Sequence, residues 1–193
     1  MKSVCIFCGH SKGHSPVYAE AAQATGKLLA TEQIELIYGG GSRGLMGVVA
    51  DAALAAGGYV VGVIPEFLNR MEVGHKDVQE LLVVKTMHER KQLMADRAEG
   101  FMALPGGVGT MDELCEILTW AQLGLHNHPV GLLDIDGFYQ PLITFFDEIA
   151  AKGFLPAATR ARVLTDSDPE RLLRKMQAWK GSSEPQLMHS DQV

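Results

Sequence analysis

Short apolar runs alternate with longer amphipathic stretches along almost the whole chain. The runs at 3–8 (SVCIFC), 34–38 (IELIY), 59–64 (YVVGVI), 81–85 (LLVVK), 100–104 (GFMAL) and 129–133 (PVGLL) are five or six residues long. They are rich in β-branched and aromatic residues, so each predicts a strand. Between them lie helical patterns with recognisable ends. Ser15 as N-cap and Pro16 at the first helical position open a helix to about residue 30. The small-residue pattern at 45–56 is stopped by Gly57 and Gly58. Thr86 and Glu89 form a capping-box pattern ahead of MHERKQLMADRA. The stretch LPGGVGTMDELCEIL (104–118) runs from a strand end through a glycine turn into another helix. A helix over 138–153 has Pro141 in its first turn and Gly153 as a stop, and Asp168-Pro169-Glu170 begins a last one to about 180. The segment 65–77 reads as a charged loop, and 181–193 as a polar, frayed tail.

Strands alternating with helices predict an α/β fold: one doubly wound domain over 1–180, its mostly parallel sheet covered on both faces and joined by right-handed crossovers. Ligands bind such folds beyond the carboxyl ends of the strands. Three glycine-rich turns fall there: CGHSKG (8–13), GGGSRG (39–44) and GGVGT (106–110).

Composition narrows the classes. Hydrophobic residues make up 47% and charged residues 21%, as in a soluble globular domain. The net charge of -6, without any Lys/Arg block, disfavours a nucleic-acid surface. No run reaches membrane-spanning length, and MKSVCIFCGH lacks a signal peptide's apolar core, so a cytoplasmic protein without membrane association is expected. Small anions remain eligible ligands, because free amides at a helix start bind them whatever the net charge.

The glycine turns admit two named motifs. None has the lysine of a Walker A loop. Gly39, Gly41 and Gly44 match the dinucleotide fingerprint, with Glu66 near the place of its ribose-binding acid. That match follows the second strand rather than the first, and Glu66 sits behind a proline. Cys5, Cys8, His10 and His14 resemble a metal or redox cluster. Residues three apart on a strand face opposite ways, so Cys5 and Cys8 read as buried free thiols. His126 and His128 read as partners of a helix C-terminus, and Met87, Met94, Met102 and Met111 as filling side chains.

Thr110 and Glu113 have capping-box spacing, and from pattern alone Glu113 is a cap. A phosphate in the GGVGT turn would change that reading. It would neutralise the helix dipole and repel nearby carboxylates, which then belong beside a sugar. Glu116 shares a helix side with Glu113. Arg90 and Lys91 lie in a first helical turn, where cations are disfavoured, so a partner anion is expected for them. Carboxylates, an arginine and a nucleoside phosphate suit N-glycosidic cleavage through an oxocarbenium-like transition state.

PGGVGTMDE (105–113) and MHERK (87–91) resemble the signature motifs of the LOG ("Lonely Guy") proteins, cytokinin riboside 5′-monophosphate phosphoribohydrolases often labelled lysine decarboxylases. The likeness extends through FCGHSKG (7–13), YGGGSRGLMG (38–47), VIPEFLNRME (63–72) and WAQLGLHNHPVGLL (120–133), about residues 4–155 in all. It implies a Rossmann-like homodimer that cleaves AMP or N6-modified AMP to free base and ribose 5-phosphate, with no metal or redox cofactor. It implies Glu113 and Arg90 as the catalytic pair. It places Gly106, Gly107, Val108, Gly109 and Thr110 around the phosphate, with backbone groups of Met111 and Asp112. Lys91, Glu72 and Thr119 are further implied substrate contacts. His10 and His128 depart from common family residues. The decarboxylase label finds no PLP site in the sequence. A non-catalytic nucleotide- or dinucleotide-binding sensor is the alternative; it would need the glycines but not the acid–arginine pair.

Overall fold

The computed structural model describes residues 1–71 and 73–181. Among the described residues, seven parallel strands form one sheet: β1 (Ser3–Phe7), β2 (Glu35–Tyr38), β3 (Val60–Pro65), β4 (Glu80–Val84), β5 (Phe101–Ala103), β6 (Val130–Leu133) and β7 (Val163–Asp166). Their order is β4-β3-β2-β1-β5-β6-β7. Central β1 pairs Cys5 with Ile37 on one side and with Phe101 on the other.

Alternation along the strands fixes the two layers. Val4 and Ile6 of β1, with Leu36 and Tyr38 of β2, face α1 (Pro16–Thr31), α2 (Gly44–Ala55) and α8 (Pro169–Gln177). Cys5, Phe7 and Ile37 face α4 (Met87–Arg97), α5 (Val108–Leu123) and α6 (Gln140–Ala151). Cys8 joins the first layer and Cys5 the second, so the two thiols diverge as the strand period requires. The layers hold large side chains with no exposure, including Leu29, Leu36 and Phe101. Truncating one such leucine to alanine costs about 2–5 kcal/mol. Gly26 lets α1 and α2 touch: a Cβ there would lie 2.2 Å from the Val49 carbonyl oxygen.

The six expected strands are present, and further short elements are additional, among them a 3-10 turn at Ile135–Gly137. A helix α3 (Glu66–Arg70) lies within the segment expected to be loop. Helix α7 (Ala157–Arg162) runs directly into β7, which extends the sheet by pairing with β6. The expected tail beyond Gly181 and the side chain of Glu72 fall outside the described residues.

From β1 the chain builds outward to β4; from β5 it builds the other way to β7. The strand order therefore reverses between β1 and β5, and a crevice opens beyond their carboxyl ends.

Candidate active site

The three glycine turns meet at that crevice. Gly9 N–H donates to the Pro105 carbonyl at 3.1 Å, and Leu45 N–H donates to the Gly9 carbonyl at 2.9 Å. Gly44 has φ +65, and a Cβ there would lie 2.1 Å from the carbonyl carbon of His10. The turns after β1, β2 and β5 thus make one continuous rim around a cavity of about 660 Å³.

Helix α5 begins at this rim. Its N-cap is Gly107, in extended conformation and with no side-chain cap, so the amides of Val108, Gly109 and Thr110 have no partner within the helix. A Cβ on Gly107 or Gly109 would meet no atom within 4 Å, so no protein contact requires glycine at either position. Glycine there leaves the amides open from the cavity side, as an anion site needs. Gly106 differs, because its Cβ would lie 2.1 Å from Thr110 Oγ1. The helix starts earlier than the Thr110–Glu113 pattern suggests. Thr110 is a buried first-turn residue, and Glu113 lies beyond the first turn and caps nothing.

Glu113 instead receives Arg90. Arg90 Nη1 donates to Glu113 Oε1 at 2.9 Å, and Arg90 Nε donates to the Val63 carbonyl at 3.1 Å. The side chains are 9% and 11% exposed, and both residues line the cavity. A path for the guanidinium exists because residue 39 is glycine: a Cβ there would lie 1.8 Å from Arg90 Nη2. Arg90 thus joins the ends of β2 and β3 to α5. Burial raises the Glu113 pKa above the ordinary carboxylate value; the Arg90 charge and hydrogen bond oppose the rise without cancelling it.

The family model described as "Possible lysine decarboxylase" matches residues 46–176. The probable cytokinin riboside 5′-monophosphate phosphoribohydrolase LOGL1 of Oryza sativa subsp. japonica is 47% identical over 93% of this chain and 80% of its own length. The enzyme LOG7 of Arabidopsis thaliana, named without the qualifier, is 44% identical over 93% of this chain and 82% of its own length. The chain belongs to the LOG family. Among solved structures, the molybdenum cofactor carrier protein of Chlamydomonas reinhardtii aligns with TM-score 0.69 and 21% identity, over 91% of this chain and 98% of that one. At that identity the likeness speaks for the fold alone.

Within this LOG-family chain, the expected site residues divide. Arg90, Gly107, Val108, Gly109, Thr110 and Glu113 line one cavity. Gly106 packs behind it against Gly9 and Thr110. Met111, Asp112, Lys91 and Thr119 do not line it. Lys91 Nζ lies 2.7 Å from Asp112 Oδ2 and 3.2 Å from Glu116 Oε2, clamping α4 to α5. Burial lowers its pKa, but the bonds to Asp112 and Glu116 outweigh that and leave it raised. Thr119 Oγ1 donates to the Cys115 carbonyl at 2.8 Å. The anions expected for Arg90 and Lys91 are therefore side chains of α5.

The dinucleotide fingerprint dissolves into other roles. Gly39 admits Arg90 and Gly44 admits the His10 backbone, while Glu66 pairs with Arg70 on the exposed side of α3. His126 Nε2 meets the Ile117 carbonyl at 2.9 Å, as a histidine at a helix C-terminus should, and stacks on His128.

The word decarboxylase in the family description points to PLP, which enzymes hold as a Schiff base on a lysine. No lysine lines the cavity among the described residues, and Lys91 is committed to two carboxylates. The residues present do not fit that group. Sequence reasoning also passed over Arg43, Met46, Leu68 and Val73, which complete the wall. Only Arg43 carried a signal, as a cation at the start of a helix.

Proposed function

We propose that this cavity hydrolyses the N-glycosidic bond of adenosine 5′-monophosphates, N6-modified ones included, to the free base and ribose 5-phosphate. The observation that carries this reading is the Arg90–Glu113 pair, buried in the cavity that also contains the open amides of α5. Glu113 lies three to five residues along α5 from those amides, roughly 4–8 Å of axial rise. That is the scale of one ribose ring. A 5′-phosphate on the amides then sets the anomeric carbon near the carboxylate.

The chemistry follows. The C1′–N9 electron pair leaves with the base, and positive charge builds on the ribose. The ionised Glu113 stabilises that charge and takes a proton from the water whose oxygen bonds C1′; the proton is returned to the departing base. Arg90 holds the carboxylate in one orientation, and its charge favours the ionised form against the effect of burial. The phosphate site contributes binding energy remote from the reacting bond. A non-catalytic sensor would gain little from a buried ion pair whose desolvation is costly.

Relatives named as cytokinin riboside 5′-monophosphate phosphoribohydrolases, 43–47% identical, support the same reading. Homodimerisation belongs to this proposal through the family resemblance, and light scattering after size exclusion tests it; a cytoplasmic location is proposed alongside. No helix among the described residues is long and apolar enough to cross a membrane. The activity is tested by incubating the protein with AMP and with isopentenyladenosine 5′-monophosphate and following free base by chromatography. Release of base supports the proposal. Nucleotide binding without release from either would overturn it in favour of the sensor.

A further inference from the structure

Arg43 stands apart from every other arginine of the chain. Arg70, Arg90, Arg97, Arg160, Arg171 and Arg174 each pair with a carboxylate, and Arg162 donates to the His128 carbonyl. The Arg43 side chain makes no ion pair or hydrogen bond among the described residues, yet the residue lines the cavity; only its backbone carbonyl is engaged, accepting from Gly47 N–H at 3.2 Å. Its backbone position is also unhelpful to the fold. It is the N-cap of α2, in extended conformation, and supplies no capping bond. A guanidinium there lies at the positive end of the helix dipole, which costs a few tenths of a kcal/mol or more. A side chain that satisfies nothing among the described residues and opposes the local field is well placed to meet an anion from solution.

The rim says where that anion lies. Gly44, the next residue, abuts the backbone of His10. Gly9, the residue before His10, donates to Pro105 at the start of the α5 turn. Arg43 and His10 therefore flank the same opening as the free amides of Val108, Gly109 and Thr110, and all five line one cavity. The sole carboxylate among the described lining residues is Glu113, which is bonded to Arg90.

We propose that Arg43, with His10 beside it, is a specificity-determining residue. Its guanidinium covers the solvent side of the substrate's 5′-phosphate, whose inner side rests on the α5 amides. This rests on the phosphoribohydrolase reading and deepens it by naming the residue that favours a nucleotide over its nucleoside. An exposed charge-assisted contact of this kind is worth about tenfold in affinity. It is sensitive to salt, and it is made alike in the ground and transition states, so it acts on KM rather than kcat.

The experiment compares wild type, Arg43→Ala, Arg43→Lys and His10→Ala, each checked for an unchanged thermal transition. Steady-state rates are measured with AMP at two ionic strengths, and calorimetry follows binding of AMP and of adenosine. Arg43→Ala is expected to raise KM about tenfold with kcat within about twofold. It should weaken AMP binding by a similar factor, leave adenosine binding unchanged and reduce the salt dependence of KM. Arg43→Lys should recover part of the loss, and His10→Ala should cost about two- to threefold. An unchanged KM, or equal weakening for AMP and adenosine, would overturn the assignment. If wild type binds AMP but releases no base, the activity reading fails while calorimetry still decides the role of Arg43. If wild type binds no AMP, both fall.

Discussion

Arg90 on α4 and Glu113 on α5 form a buried ion pair at 2.9 Å, held in place by a further bond from Arg90 to the Val63 carbonyl at the end of β3. The pair joins two helices and a strand end at one wall of the cavity, and its two charges have consequences that separate.

Removing Arg90 leaves an unpaired buried carboxylate. Arg90→Ala is expected to destabilise the fold by about 3–5 kcal/mol and to lower kcat/KM by a hundredfold or more. Arg90→Gln, closer in shape, isolates the charge. Burial already raises the Glu113 pKa, and losing the opposing charge raises it further. The ionised form is the active one in the proposed mechanism, so kcat/KM rises with pH through that pKa. Its acid limb should therefore move to higher pH in Arg90→Gln, and a pH–rate profile of both proteins checks this.

The glycines of the α5 turn should part company on substitution. Gly107→Ala meets no atom within 4 Å. Its stability should stay within about 1 kcal/mol of wild type, while KM for AMP rises, because a methyl group now shares the anion's space. Gly106→Ala runs into Thr110 Oγ1. It should lower the melting temperature measurably. Parallel thermal and kinetic measurements distinguish the two.

Acid stability should depend on His126. Burial lowers its pKa from 6.5 to about 4. An unfolded chain therefore binds the extra proton first as pH falls. The histidine's contribution is fully present above pH 6.5 and is lost progressively down to about pH 4, to a total of about 1–3 kcal/mol. Asp166 on β7, held ionised by Arg171 and Lys175, adds a loss of the same sign below its ordinary carboxylate value. Denaturant unfolding from pH 7 to pH 4 should show a shallower decline in His126→Gln than in wild type.

Much of this was legible in the sequence where period and punctuation agree. The six expected strands and their glycine turns are where alternation and Gly/Pro signals place them. β7 escaped because VLTD is short and polar at its end, and no turn residue separates it from α7. α3 is five residues long and too short for a helical period to register. The capping-box reading of Glu113 failed for a local reason: the helix starts at the extended Gly107, two residues before Gly109, and the threonine packs on Gly106 instead of capping. The Arg90–Glu113 contact spans 23 residues and a strand. No local rule reports such a pairing; the family motifs named both residues, and the geometry supplies how they meet. Lys91 was expected at the ligand for the same reason as Arg90, but on a helix adjacent residues point about 100° apart, and Lys91 turns to Asp112 and Glu116 instead.

The most direct test of the central claim is Glu113→Gln, assayed for turnover of AMP and isopentenyladenosine 5′-monophosphate beside calorimetric binding and a thermal melt. The amide keeps the shape and a hydrogen-bond acceptor for Arg90 but cannot carry the negative charge. Turnover is expected to fall by a hundredfold or more while the protein stays folded and still binds AMP. A variant that turns over substrate at the wild-type rate per folded molecule would contradict the account.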